Sequence, residues 1–258
     1  MPATAFSHFQ QDIARVRAIV VHAGRLPIAA ADERLLRSDL LRSAWTFAVG
    51  ALDAYFCDAY TDVVAATIIS KSRQPSMTLP EFFYDIKFPV RSILESYTIN
   101  ENWRWRMAAR EMMRRETVLR LERIQDLFNR FFPPGRKFFR DLLHDWISRS
   151  DAKKRLFGIT STAYQRLPAG RRQKAMDDAW DQMKERYRSI FQRRHDCVHN
   201  CDRPRVSPQR LSREGTVLKV IQDVEFLVER CDEHVRLEFR VFLQSLGCPA
   251  TLITQVGY

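Results

Sequence analysis

The stretch DERLLRSDLLRSAWTFAVGALDAYFCDAYTDVVAA, residues 32–66, decides the fold class. Its residues Leu36, Leu40, Ala44, Phe47, Ala51, Leu52, Tyr55, Ala59, Val63 and Ala66 recur three to four positions apart. That is the period of one α-helical face turned toward a core, with Asp32 or Ser38 expected to cap its start. Before it lies a shorter amphipathic piece, Phe6 to Val21, ended by a turn at Gly24 to Pro27; after it Lys71 to Pro80 is a polar break. Glu81 to Tyr97 follows, interrupted at Pro89. A second long helix is expected through Trp103, Met107, Met113, Leu121, Ile124, Phe128 and Phe131, stopping at Pro133. Two short helices come next, Phe138 to Ile147 and Asp151 to Phe157. A third long helix runs from Pro168 through Ala179, Met183, Tyr187 and Phe191 toward Val198. A Pro-containing loop, Asn200 to Gly215, leads to a last helix carrying Val217, Ile221, Val224, Leu227, Val228, Cys231, Val235 and Phe242. No run alternates with period two long enough for a convincing strand, so the fold class is all-α.

Composition agrees. Of 258 residues 45% are hydrophobic and 28% charged, which excludes disordered and fibrous classes, and only 8 are glycine, which disfavours a turn-dense β-fold. No apolar run reaches the ~20 residues of a membrane span. The N-terminus has no basic start followed by an apolar stretch, so a cytoplasmic location is expected. The five cysteines, Cys57, Cys197, Cys201, Cys231 and Cys248, are odd in number and mostly scattered, as expected of free thiols.

The net charge of +11 is regional: residues 101–140 hold 11 basic and 5 acidic side chains, and residues 151–214 hold 16 and 8. A concentrated Arg/Lys field attracts polyanions by counterion release, which makes nucleic acid the first partner to weigh against a merely solvated helix surface.

The chemically dense segment is Arg193-Arg194-His195-Asp196-Cys197-Val198-His199-Asn200-Cys201-Asp202-Arg203. Three readings compete. A zinc site would draw on His195, Cys197, His199 and Cys201, but at ~100° per residue the two histidines share one helix face while the cysteines point away. A structural reading makes it a polar helix end, with Asp196 and Asn200 satisfying backbone groups. The third is acid–base chemistry on a phosphodiester: histidine titrates near neutrality and serves as acid or base, and arginine forks onto phosphate oxygens, with no metal and no cofactor required.

Arg194 and His199 have four residues between them. Arg17 and His22 share that spacing in an apolar context, Ala18-Ile19-Val20-Val21, and read as a coincidence. The string RRHDCVHNCDR (193–203) resembles the R-x4-H motif of the HEPN ribonuclease superfamily, in the form where a polar residue follows the arginine and an apolar one precedes the histidine. The likeness is nearest to the RiboL-PSP type of HEPN domain. AWTFAVGALDAYFCDAY (44–60) is similar to that family's first core helix and TVLKVIQDVEFLVERCDEHV (216–235) to its closing helix, in the same order. The resemblance implies a single HEPN-like helical bundle over residues 1–258, with residues 71–170 a helical insertion. It also implies a homodimer in which two motifs face each other and build a composite active site. Carried over, His199 is general base or acid, Arg194 stabilises the phosphate, His195 orients or shares proton transfer, and Asp196 positions a neighbour. The implied products are 2′,3′-cyclic phosphate and 5′-hydroxyl RNA ends. A toxin or effector role in antiviral defence or stress response, restrained by an antitoxin or sensor protein, comes from the resemblance alone. Cys201 stands where HEPN toxins silenced by nucleotidyltransferases have tyrosine, which puts that mode of silencing in doubt.

Around the motif, Arg193, Asn200, Arg203 and Arg205 are candidate RNA contacts, and Trp105, set among arginines, is a candidate base-stacking residue. Glu122 with Asp126, and Asp177, Asp178 and Asp181, read as solvated helix faces. Phe131-Phe132 and Phe138-Phe139 read as two helix ends packing on each other rather than on a membrane. Phosphate-binding-loop, dinucleotide and G-x-S-x-G signatures are missing from the sequence. The alternatives to a nuclease are a non-catalytic helical RNA-binding or assembly module and, third, a DNA-binding regulator, for which no recognition helix is evident.

Overall fold

The computed structural model describes residues 5–95, 101–114, 116–132, 136–199 and 213–256, and among them the chain forms α-helices and two 3-10 turns, with no strand. In chain order the helices are α1 (Ala5–Arg25), α2 (Ala31–Arg73), α3 (Val90–Glu95), α4 (Glu101–Met113), α5 (Leu121–Phe128) and α6 (Leu143–Ser148). They continue with α7 (Lys154–Phe157), α8 (Ser161–Gln165), α9 (Ala169–His199), α10 (Glu214–Ser245) and α11 (Ala250–Val256). The 3-10 turns are Glu81–Phe83 and Asn129–Phe131. No helix among the described residues is long and apolar enough to cross a membrane.

α2 is the axle of the fold. It packs against α1, α4, α5, α9, α10 and α11, and from Ala59 to Thr67 every residue but Asp62 is buried. Contact on several sides explains why its core positions are not the single stripe that periodicity suggests: Leu36 (51% exposed) and Phe47 (57%) face solvent, while Leu41, Trp45, Ala48, Val49 and Phe56 are buried. Its start also lies earlier than expected. Ala30 is the extended N-cap, its N–H donating to the Glu33 carboxylate at 3.2 Å; Asp32 sits in the first turn and Ser38 is a buried residue within the helix. A Glu at the third helical position reaches back to the first free N–H, so no capping side chain is required at that point.

α1 folds back on α2, with Phe9 against Tyr55 at 5.9 Å between ring centroids. α10 runs parallel to α2: the Arg37–Glu214 ion pair and the Tyr55 hydroxyl donating to Asp232 at 3.2 Å are both 177 residues apart in sequence. Gly24 of α1 lies close to the Glu214 end of this pairing: a Cβ there would sit 3.3 Å from the Glu214 carboxyl carbon, and the side chain would have to give by a few tenths of an ångström. α9 is fastened to both. Its buried Ala179, Met183, Tyr187 and Ile190 follow helical spacing; the Trp45 indole N–H donates to the Ile190 carbonyl at 3.1 Å, and the Tyr187 hydroxyl donates to the Asp223 carbonyl at 2.5 Å.

The segment 71–170 belongs to the same contiguous core, entering it through Phe83, Phe128, Phe131, Phe138 and Trp146. Phe128 stacks on Phe138 at 5.5 Å, and Phe131 meets Phe242 of α10 edge-on at 5.4 Å. The paired phenylalanines at 131–132 and 138–139 are all buried, which fits helix ends packing on each other. Phe139 adopts φ +67°, a left-handed conformation that costs a side chain other than glycine of order 1 kcal/mol. Complete burial against Phe138, Trp146 and Trp180 offsets that strain.

The expected long helix from Trp103 to Phe131 is in fact two. α4 ends at Met113, Thr117 to Leu119 lie outside any helix, and Arg120 is the extended N-cap of α5 at φ −149°. β-Branched Thr117 and Val118 have low helix propensity, and the exit from the helix puts the Val118 side chain fully inside. The apolar period carries across the break because both halves bury a face in the same core. The 3.6-residue pattern alone does not separate that case from one continuous helix. Four of the five cysteines, Cys57, Cys197, Cys231 and Cys248, are free thiols, and Cys201 lies outside the described residues.

Candidate active site

The last turns of α9 present one polar face. Lys184, Arg188, Gln192, His195 and His199 follow helical spacing, Arg194 flanks them, and all six line a groove of about 1060 Å³. Tyr187 and Phe191 form its apolar floor on this helix. His195 and His199, one turn apart, bring their rings to 4.4 Å between centroids. Both are exposed, and neither makes a hydrogen bond among the described residues. Their nitrogens are therefore open to a ligand. Arg194 is half-buried; its Nε is closed off from solvent and has no hydrogen-bond partner among the described residues.

The opposite side of the groove is the break between α4 and α5. Thr117, Leu119, Arg120, Leu121, Glu122, Arg123 and Asp126 line it, and Asp53 of α2 lies between the two sides. The Asp53 carboxylate accepts the Val118 N–H at 2.8 Å, which holds the non-helical segment against α2. Burial raises the Asp53 carboxyl above the usual carboxylate range, against the lowering pull of the Val118 N–H, the Arg194 guanidinium and the Thr117 side chain. Asp53 thus connects Arg194 electrostatically to a segment far away in sequence. Burial and the charges of Asp53, Asp58 and Glu116 push the thiol of nearby Cys57 up to about 12, which disfavours the reactive thiolate.

Five cations line the groove, Arg120, Arg123, Lys184, Arg188 and Arg194, against three carboxylates, Asp53, Glu122 and Asp126. Three of the cations are committed elsewhere: Arg123 to Glu116 at 2.8 Å, Lys184 to Asp181 at 2.8 Å and Arg188 to Glu185 at 2.9 Å. Among the described residues Arg120 and Arg194 have no carboxylate within ion-pair distance. What the groove offers an anion is therefore these two guanidiniums, with apolar surface beside them.

The structure brings together Arg194, His195 and His199. Asp196 does not join them: it accepts from Gln192 Nε2 at 2.9 Å, one turn back, and is not part of the groove lining. Arg193 is likewise outside the lining. Trp105 is half-buried in another part of the fold, edge-on to Phe88 at 6.2 Å with Arg104 over its ring. Asn200, Arg203 and Arg205 lie outside the described residues. Glu122 and Asp126 are exposed, as solvated faces should be, yet they line the groove as well. Arg17, of the second R-x4-H spacing, is spent on Glu225, with bonds of 3.0 and 2.6 Å.

No group of three His, Cys, Asp or Glu side chains that could hold a metal occurs among the described residues. Cys197, two residues from either histidine, is absent from the groove lining. Sequence reasoning did not single out Asp53 or Arg120. A signal for Asp53 was present, since it is the only charge between Ser43 and Cys57. Arg120 is one of 34 arginines and carried none. Comparison with known proteins finds no matching family model, no similar curated protein and no similar solved structure.

Proposed function

We propose that this protein is a metal-independent endoribonuclease of the HEPN kind, a helical bundle with residues 71–170 inserted, which cleaves RNA by attack of the 2′-hydroxyl on the adjacent phosphorus. The observation that carries the reading is the meeting of Arg194, His195 and His199 in one groove, with both imidazoles exposed and without a hydrogen-bond partner among the described residues. One imidazole takes the 2′-hydroxyl proton as the P–O2′ bond forms. A protonated imidazole gives its proton to the 5′-oxygen as the P–O5′ bond breaks. The products are a 2′,3′-cyclic phosphate and a 5′-hydroxyl. The guanidinium of Arg194 meets the charge that builds on the non-bridging oxygens of the pentavalent phosphate. His195 and His199 supply the two imidazoles within one chain; in the two-fold dimer that the resemblance implies, the partner's motif completes the site. A toxin or effector role in defence or stress response, in the cytoplasm and under an antitoxin or sensor, belongs to the same proposal.

The test is incubation of wild-type protein and His199→Ala with total cellular RNA in excess EDTA, followed by mapping of cut positions and end chemistry. Cyclic-phosphate ends made by wild type and not by His199→Ala are the expected result. RNA left intact by wild type but bound in a salt-sensitive way would replace this reading with the non-catalytic RNA-binding module. His199 is exposed at the end of α9, so its replacement is not expected to disturb the fold.

A further inference from the structure

Two guanidiniums in the groove are uncommitted, and only one of them belongs to the motif. Arg194 accompanies the histidines on α9; Arg120 comes from the break between α4 and α5, within the 71–170 segment. Arg120 is exposed and has no ion pair or side-chain hydrogen bond among the described residues, whereas Arg123, Lys184 and Arg188 each hold a carboxylate. A single phosphodiester needs one of these two guanidiniums. At about 1060 Å³ the groove lies at the upper end of the ~300–1,000 Å³ range of ligand sites, which leaves room for more than one nucleotide unit. Leu119, Leu121, Tyr187 and Phe191 give it apolar surface between the cations, against which sugar and base faces can lie.

We infer that Arg120 holds a second phosphate of a single-stranded RNA, one that is not cleaved, so that the groove binds an oligonucleotide rather than a lone dinucleotide unit. The inference rests on the ribonuclease reading for the identity of the ligand. Chemically it needs a polyanion whose charges are spaced along a chain, and flanking nucleotides supply that. Glu122, Arg120's near neighbour, and Asp126 line the same groove. Their like charge keeps phosphates off that stretch of α5 and leaves Arg120 as the anchor on this side.

Fluorescence anisotropy with 5′-labelled oligouridylates of two, four and eight nucleotides, in EDTA and at several salt concentrations, tests this. His199→Ala serves as the uncleaving background. Affinity is expected to rise from dinucleotide to tetranucleotide by about ten-fold, the worth of one charge-assisted phosphate contact. Adding Arg120→Ala, and separately Arg120→Gln, is expected to abolish that rise and to lower the salt slope for the tetranucleotide by about 0.7. Circular dichroism of both variants reports any loss of fold. A rise with length that survives both substitutions overturns the subsite. The outcomes are separable from those of the cleavage test. Cleavage by wild type with no Arg120 effect sinks the subsite alone; an Arg120-dependent length effect without cleavage sinks the nuclease reading and keeps the subsite. Failure of every oligonucleotide to bind overturns the subsite, and the cleavage test alone then decides the nuclease reading.

Discussion

The backbone N–H of Val118 donates to Oδ1 of Asp53 at 2.8 Å across 65 residues of sequence, and this bond ties the break between α4 and α5 to the central helix. Asp53→Ala leaves that N–H unpaired beside a buried side chain, at a cost of about 1–3 kcal/mol. Asp53→Asn keeps an acceptor and is expected to lose less stability while removing the charge that faces Arg194. Urea melts of the three proteins check the order. A wild-type midpoint in Asp53→Ala would mean that the bond does not hold the segment.

Asp62 pairs with Arg106 at 2.6 Å, yet burial outweighs that partner and moves its carboxyl from 3.8 up to about 6. Between those values the folded protein binds the proton more tightly than the unfolded chain, so this group's contribution to stability falls as pH rises. The stability difference between wild type and Asp62→Asn is therefore expected to decrease from pH 4 to pH 6 and to level off above. Thermal melts across that range measure it; a difference that increases with pH would reverse the sign.

Asp223 is fully buried on α10 and binds Arg155 of α7 at 2.7 Å and Arg186 of α9 at 2.8 Å. Removing its charge strands two guanidiniums that are themselves only a quarter or so exposed, 29% and 24%. Asp223→Asn is expected to cost about 3 kcal/mol, the low end for breaking a buried pair, which corresponds to roughly 6–12 °C in Tm. A shift of a degree or two would show that solvent already screens the cluster.

Arg194→Lys keeps the charge but replaces a planar fork with a single ammonium. On the ribonuclease reading, kcat is expected to fall at least about a hundred-fold with a smaller change in KM, since the fork acts on charge that develops in the transition state. Retention of wild-type kcat would exclude bidentate phosphate recognition by this residue.

Much of this molecule was legible from local pattern. Spacing placed the helix through residues 32–66, the helix after Pro168 and the helix from Val217, because burying one helical face writes a 3.6-residue period into the sequence. The same geometry set His195 and His199 on one face and turned Cys197 away from it. Where several neighbours surround a helix, the pattern misleads: Leu36 and Phe47 continue the apolar period of α2 and are nevertheless exposed.

The helical class, the basic regions and the Arg194–His199 spacing can be read along the chain, because each depends on residues near one another in it. The groove is a product of tertiary structure. It needs Asp53, Arg120 and Arg194 from three different elements, and it opens where Thr117 and Val118 leave the helix. What places them is a hydrogen bond spanning 65 residues and another spanning 145, from Trp45 to Ile190. Such pairings leave no periodic trace, because each is chosen by packing across the core rather than by the residue's neighbours in sequence.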